Sequence, residues 1–382
     1  MRIAFLNHPI GVRDPVNPVD VWTSSRGLTG SEIAFFKYAE ELTKLGHDVN
    51  LFTKFTTSDP LGGNGPYCIP YDQWESIYSK QSWDAACCWT VADPLSLVGP
   101  GIFRFLNHQC NGFSVSLSGW EKYVDIIAPL SHTHARALSK DTSFSKDKWR
   151  ILYNGVDCSK FYPENKESGK LIWASSLDRG LHWLLESFPY IKRKAPNTEL
   201  HVFYDFHSIE HAAEVYYPGG QPYFTNEHFE LGNRARYILR ALQKLEGKGV
   251  HVHKSVSRSR IEQEMKTSSI LAYPLDSIYF TETFGVVVLE ACASGTIPVL
   301  CLGDAFGELW GEVAESVPPP FKDHKNEYLE KLIKCLTDDA YRDNLSKKCV
   351  DHAKKFEWSV LAKGLEKCLL TKGQEGLPLV DW

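Results

Sequence analysis

Short apolar runs alternate with amphipathic stretches from one end of the chain to the other. Strands buried in a parallel sheet read as continuous apolar runs, because both of their faces are covered. Short strands are expected at 2–6, 48–53, 84–89, 102–107 and 124–128, and again at 171–175, 199–204, 250–254, 269–273 and 297–302. Between them the period becomes helical. The segment SEIAFFKYAEELTKL at 31–45 places Ile33, Phe36, Ala39, Leu42 and Leu45 on one stripe, and Gly46 supplies the stop. Further helices are predicted at 179–194, about 231–246, 258–268 and 285–294, while 326–370 is helical without any strand signal.

Strands and helices in this alternation form βαβ units, hence parallel sheets covered by helices. The polar, punctuated stretch FYPENKESGK at 161–170 interrupts the pattern, which then restarts. The expected fold is α/β, with two doubly wound, Rossmann-like domains facing a cleft and a ligand between the carboxyl ends of their strands. The boundaries fall at 1–160, 161–350 and 351–382, the last a C-terminal helix packing back on the first domain. Gly62, Gly63 and Gly65 lie between prolines and read as a loop. No G-x-G-x-x-G follows a predicted strand, which argues against a Rossmann dehydrogenase.

Composition narrows the chemistry. With 382 residues, two domains of ordinary size are expected. Lys plus Arg minus Asp plus Glu is 42 − 47 = −5, against a nucleic-acid partner held by bulk charge. There is no apolar run long enough for an integral membrane segment, and MRIAFLNHPIGVRDP is too short and polar for a signal peptide. A cytoplasmic location is therefore expected. The ten cysteines form no C-x-x-C and read as buried free thiols. Residues 1–150 carry 14 basic against 15 acidic side chains. That balance favours a saccharide or other soluble partner and leaves peripheral membrane contact open. No Asp-x-Asp occurs, and His251-x-His253 and His132-x-His134 have no carboxylate or thiol cluster beside them, so no metal is expected. Trp22, Trp74, Trp83, Trp89 and Trp120 gather in the first half, where aromatic rings serve as core or as platforms for sugar faces.

The richest segment is TETFGVVVLEACASGTIPVL at 281–300. Gly285 opens a helix that Gly295 closes, so the N–H groups around Phe284, Gly285 and Val286 face whatever precedes them. Such a helix start seats phosphate. Glu282 stands just outside the helix and Glu290 one and a half turns inside, so two acceptor-only groups flank that seat. They suit the hydroxyls of a ribose and of a transferred hexose. Taken alone, the segment also fits a core helix with incidental glutamates.

The spacing Glu-x7-Glu with Phe-Gly after the first Glu, followed by E-A-x-A-x-G-x-x-P-V, resembles the signature of the retaining GT-B glycosyltransferases of family 4, the glycosyl transferases group 1. Three more segments match that family in order. They are GLTGSEIAFFKYAEELTKLGHDV at 27–49, ILYNGVDCSKFYP at 151–163 and SSLDRGLHWLLESFPYIKRKAPNTELHVFYDF at 175–206. The resemblance implies a hexose moved, with retention and without metal or cofactor, from a nucleotide-diphosphate sugar of the UDP or GDP type to a hydroxyl acceptor. Arg179 stands at the family's cation on the departing diphosphate, although by itself it also reads as a solvated helix start. The family's second, earlier Arg has no counterpart among Ala174, Ser175 and Ser176.

By the same resemblance Glu290 holds the ribose, and Glu282 with Thr283, Phe284, Gly285 and Val286 holds the donor sugar and its phosphates. Ser255 and Val256 would lie near the nucleobase. Gly30 would let the backbone approach the diphosphate, or is simply the glycine that starts a helix. His108 would bond the sugar or acceptor, or is a satisfied structural histidine. Two other functions share these features: a nucleotide-sugar epimerase and a non-catalytic nucleotide-sugar-binding subunit.

Overall fold

Every strand expected above forms, and all of them lie in two parallel six-stranded sheets. The computed structural model describes residues 1–9, 12, 14–24, 27–111, 116–217, 221, 224–254 and 256–382. These divide into two units. The first comprises Met1–Ser24, Leu28–Gly155 and Phe356–Trp382, and the second is built on Val156–Lys355.

The first sheet contains β1 (Arg2–Asn7), β2 (Asp48–Thr53), β3 (Tyr67–Pro70), β4 (Ala85–Trp89), β5 (Phe103–Asn107) and β6 (Ile126–Ala128), in the order β3-β2-β1-β4-β5-β6. Its helices include α1 (Gly30–Lys44), α2 (Tyr71–Ser76) and α3 (His132–Leu138). Register places Phe5 between Leu51 and Cys87. Alternate residues of each strand face two separate cores. Ile3 and Phe5 pack with Phe35 and Trp89 on one side, while Ala4 and Leu6 pack with Phe52 and Trp74 on the other. This two-sided burial is why the strands lack a polar alternation. Trp74 and Trp89 are fully buried, so they are core rather than sugar platforms.

The second sheet holds β7 (Lys170–Trp173), β8 (Glu199–Tyr204), β9 (Val250–Lys254), β10 (Ile270–Tyr273), β11 (Ile297–Cys301) and β12 (Glu315–Val317). Its order, β12-β11-β10-β7-β8-β9, repeats the winding of the first sheet read from the other edge. The helices are α4 (Leu181–Lys194), α5 (His207–Val215), α6 (Asn226–Leu245), α7 (Arg258–Thr267), α8 (Val286–Ala293), α9 (Phe306–Trp310), α10 (Phe321–Thr337) and α11 (Asp339–Ala353). Helix α6 begins at Asn226 rather than near 231, because Thr225 and His228 form a capping box ahead of the first apolar turn.

The final helix, α12 (Trp358–Leu370), belongs to the first unit, where Trp358 meets Tyr38 of α1 edge-on at 5.2 Å. The segment after it is tied down too. Arg150 donates to the Gly373 carbonyl at 3.0 and 2.6 Å, and Trp382 packs on Trp149 at 5.5 Å. Gly155, the last residue before the chain leaves this unit, lies against the Trp358 indole and the Phe356 carbonyl, where the chain returns.

In both sheets the winding reverses between two adjacent parallel strands, β1 and β4 in the first and β7 and β10 in the second. Loops leaving the carboxyl ends of such strands diverge and open a crevice. In the second unit those loops are 174–180 and 274–285.

Candidate active site

Arg179 and Glu282 come from the two loops at this reversal point, 174–180 and 274–285. Gly180 holds the loops together. Its φ is +118°, and a Cβ there would stand 2.0 Å from the Pro274 carbonyl oxygen, a position that only glycine fits. The Asp276 N–H also donates to the Arg179 carbonyl at 3.3 Å.

At the start of α8, Gly285 has φ +85° and an added Cβ would meet the Phe306 ring at 2.6 Å. Trp310 of α9 donates its indole N–H to the Phe284 carbonyl at 2.8 Å. The Phe284 side chain is buried, so only its backbone is available to a ligand. Among the described residues no hydrogen bond reaches the N–H groups of Gly285, Val286 and Val287. Three unsatisfied donors at the positive end of a helix make an anion seat.

Glu282 is buried beside that seat. Its Oε1 accepts from Arg179 Nη1 and from the Tyr273 hydroxyl, and Tyr273 in turn is 2.7 Å from Ser175 Oγ. Burial opposes the charge on Arg179, but Glu282, together with Tyr273 and Asp178, outweighs it and raises its pKa. Burial, with Glu282, likewise raises Tyr273, which stays a protonated donor. Oε2 of Glu282 has no hydrogen-bond partner among the described residues and remains free to accept.

The loop that carries Glu282 is fixed from below. Asp304 Oδ2 accepts from the N–H groups of Thr281 at 3.0 Å and Glu282 at 2.9 Å, and from Ser277 Oγ at 3.1 Å. Asp304 itself sits at φ +51°, a conformation that Asp tolerates better than most residues. Nothing in the sequence alone pointed to Asp304 or Tyr273, since each acts on Glu282 from another strand or loop.

Glu290, buried in the second turn of α8, pairs through Oε1 with Arg258 Nη2. Arg258 begins α7, with its guanidinium 4.7 Å over the Phe161 ring. Val256 lies in the turn just before this helix and is partly buried; Ser255 lies outside the described residues. The second unit therefore brings together Arg179, Glu282, Thr283, Phe284, Gly285, Val286 and Glu290 around one helix start. Ser175, in the segment where the resemblance expects a second cation, bonds instead through its hydroxyl to Tyr273. Nearby, Arg234 of α6 lies on the same 274–285 loop but is committed to Asp276 at 3.1 Å and to Glu230.

Gly30 and His108 belong to the first unit. Gly30 is the first residue of α1, whose N-cap Thr29 forms a capping box with Glu32. His108, fully buried, follows β5, and its Nδ1 is 2.7 Å from the Thr90 carbonyl. A carbonyl only accepts, so Nδ1 carries the proton and Nε2 bears the lone pair. That Nε2 is buried with no hydrogen-bond partner among the described residues. Thr90, at the end of β4, has φ +72°, a strained conformation for a β-branched residue, and its hydroxyl is 3.4 Å from Ser31 of α1. Thr90 thus links the start of α1 to His108 at the reversal point of the first sheet. Among the described residues no three His, Cys, Asp or Glu side chains are placed to hold a metal, and no helix is long and apolar enough to cross a membrane.

The fold is that of the GT-B glycosyltransferases. Sucrose-phosphate synthase from Thermosynechococcus elongatus superposes with a TM-score of 0.67 at 14% identity, over 97% of this chain and 99% of that one. Anabaena Alr3699/HepE, solved with UDP and glucose, gives 0.65 at 13% identity over 97% and 100%. WaaG, a glycosyltransferase of lipopolysaccharide biosynthesis, gives 0.61 at 15% over 97% and 100%. No curated protein sequence matches the chain. Residues 159–356 match the family model of the glycosyl transferases group 1, so the chain belongs to that family of glycosyltransferases.

Proposed function

We propose that this glycosyltransferase is a retaining, metal-independent enzyme that transfers a hexose from a nucleotide-diphosphate sugar to a hydroxyl of a glycan or other acceptor. The observation that carries this reading is the grouping of Arg179, Glu282 and Glu290 around the unsatisfied N–H groups at the start of α8. Anabaena HepE was solved with UDP and with UDP-glucose, which supports a UDP-type donor here, with GDP the other candidate.

In this reading the diphosphate rests on the α8 amides and Arg179, which offset the charge that builds as the bond to the anomeric carbon breaks. Glu290 accepts from the ribose hydroxyls, and Glu282 Oε2 from the donor sugar. The acceptor oxygen bonds to the anomeric carbon on the face the phosphate leaves, and its proton passes to the departing phosphate oxygen. In the first unit, the lone pair on His108 Nε2 is assigned to a substrate hydroxyl.

Thermal unfolding with UDP, GDP, ADP, CMP and their sugar conjugates, with and without EDTA, tests the proposal. A ligand at about 100 times its Kd adds roughly 2.7 kcal/mol, enough for a visible shift. One nucleotide family should stabilise the protein, unaffected by EDTA and less so in Glu290→Ala. Glu282→Ala and Arg179→Ala should fold and lose turnover; wild-type turnover in all three would overturn the site. A second reading, a binding subunit without turnover, is favoured only by Ser175 and Ser176 standing where the family carries a cation. It predicts the same shift with neither transfer nor donor hydrolysis.

A further inference from the structure

Each of the two candidate carboxylates is held by one oxygen and leaves the other unbonded among the described residues. For Glu282 the holding groups are Arg179 and Tyr273. For Glu290 the holding group is Arg258, which no motif in the sequence singled out. Arg258 is the first residue of α7, where a cation opposes the helix dipole. Its surroundings account for its placement there. The guanidinium lies over Phe161, a buried ring, with Glu290 on Nη2 and Glu262 Oε1 at 3.9 Å from Nε. A planar fork held by a ring on its face and carboxylates on its edge has little freedom left to move.

We propose that Arg258 is a positioning residue for the nucleoside end of the donor site: clamped on Phe161, it fixes Glu290 by Oε1 so that Oε2 meets the ribose hydroxyls. The proposal rests on the reading of Glu290 as the ribose acceptor. It requires that Arg258 helps binding. If the ion pair were instead a latch that the nucleotide must open, removing the arginine would tighten binding.

The test is isothermal titration of the full chain with UDP and 2′-deoxy-UDP, with GDP and 2′-deoxy-GDP in parallel. Wild-type protein should bind the ribonucleotide of one pair at least tenfold more tightly than its deoxy form, because the lost 2′-hydroxyl takes away one of the donors to Glu290 and leaves only the 3′-hydroxyl. Arg258→Ala should weaken the ribonucleotide about tenfold, raise KM for the donor more than it lowers kcat, and bring the ribo-to-deoxy ratio close to one. Arg258→Lys keeps the charge but loses the planar stack, and should recover only part of the discrimination. Because Arg258→Ala leaves Glu290 buried and unpaired, the double variant Arg258→Met/Glu290→Gln serves as a folding control; it should regain thermal stability without regaining discrimination. An unchanged ratio in a folded Arg258→Ala protein, or tighter binding, overturns the proposal. Absence of any nucleotide binding by the wild type overturns the reading of the donor site instead.

Discussion

At the scale of single residues, the site depends on carboxylates whose partners are distant in sequence. Asp304 receives two consecutive backbone N–H groups and a hydroxyl from the loop that carries Glu282, so it sets where that carboxylate stands. Asp304→Ala removes these acceptor contacts and leaves an alanine in a left-handed conformation. Turnover should drop between about tenfold and a hundredfold, the cost of misplacing a reacting group by about an ångström. Asp304→Asn keeps one carbonyl oxygen for the same N–H groups and tolerates the same φ, so it should retain most activity. Steady-state kinetics on the pair decides the matter, and equal loss in both would show that the charge, rather than the hydrogen bonding, is what matters. Arg179, Glu282 and Glu290 were legible in the sequence because they sit in or beside a local motif around a helix start. Arg258, Tyr273, Asp304 and Thr90 were not, because each reaches its partner across a strand or loop that sequence spacing does not describe.

At the scale of elements, helix α8 is the part on which the site is mounted. Its first turn is shaped by Gly285, whose left-handed backbone lies against Phe306, and by Trp310 on the Phe284 carbonyl. Gly285→Ala adds a strained φ and a clash with a buried ring, together about 2–4 kcal/mol of lost stability. Denaturant unfolding should show that loss, and a variant as stable as wild type would mean that α9 moves aside freely. The strands buried on both faces could be read from the sequence, since they must be apolar throughout. The edge strands β3 and β12 could not. Each is short, and Tyr67 and Glu315 give them a mixed character that the apolar-run criterion passes over. Helices α2, α3, α5 and α9 were likewise unread, being five to nine residues long and so too short to show a full amphipathic period.

At the scale of the whole molecule, the histidines of the first unit set an acid limit on stability. Burial pushes His108 down to about 4, and burial together with His108 pushes His134 down to about 3. Unfolded, both take up a proton near pH 6.5. Below that pH the unfolded chain binds more protons than the folded one, so stability falls as pH drops from 6.5 toward about 4. The loss is about 1.4 kcal/mol per pH unit for each histidine. Urea unfolding at a series of pH values should show this slope, and His108→Gln should make it shallower; an acid limb unchanged by the substitution would remove His108 as its cause.

The meeting of Gly155 with Phe356 and Trp358 carries its own consequence for how the polypeptide can be cut and rejoined. The second sheet with all its helices is one uninterrupted cassette, 156–355, inserted into the first unit between neighbouring ends. A short glycine linker from 155 to 356 should therefore give a self-contained first unit, and the excised cassette should keep the candidate site residues, including Arg179, Glu282, Arg258 and Glu290, on a single stretch of chain. Mixing cassettes among relatives that share this connection would then show whether donor preference travels with the cassette, as the proposed site requires, while leaving the recipient half unaltered.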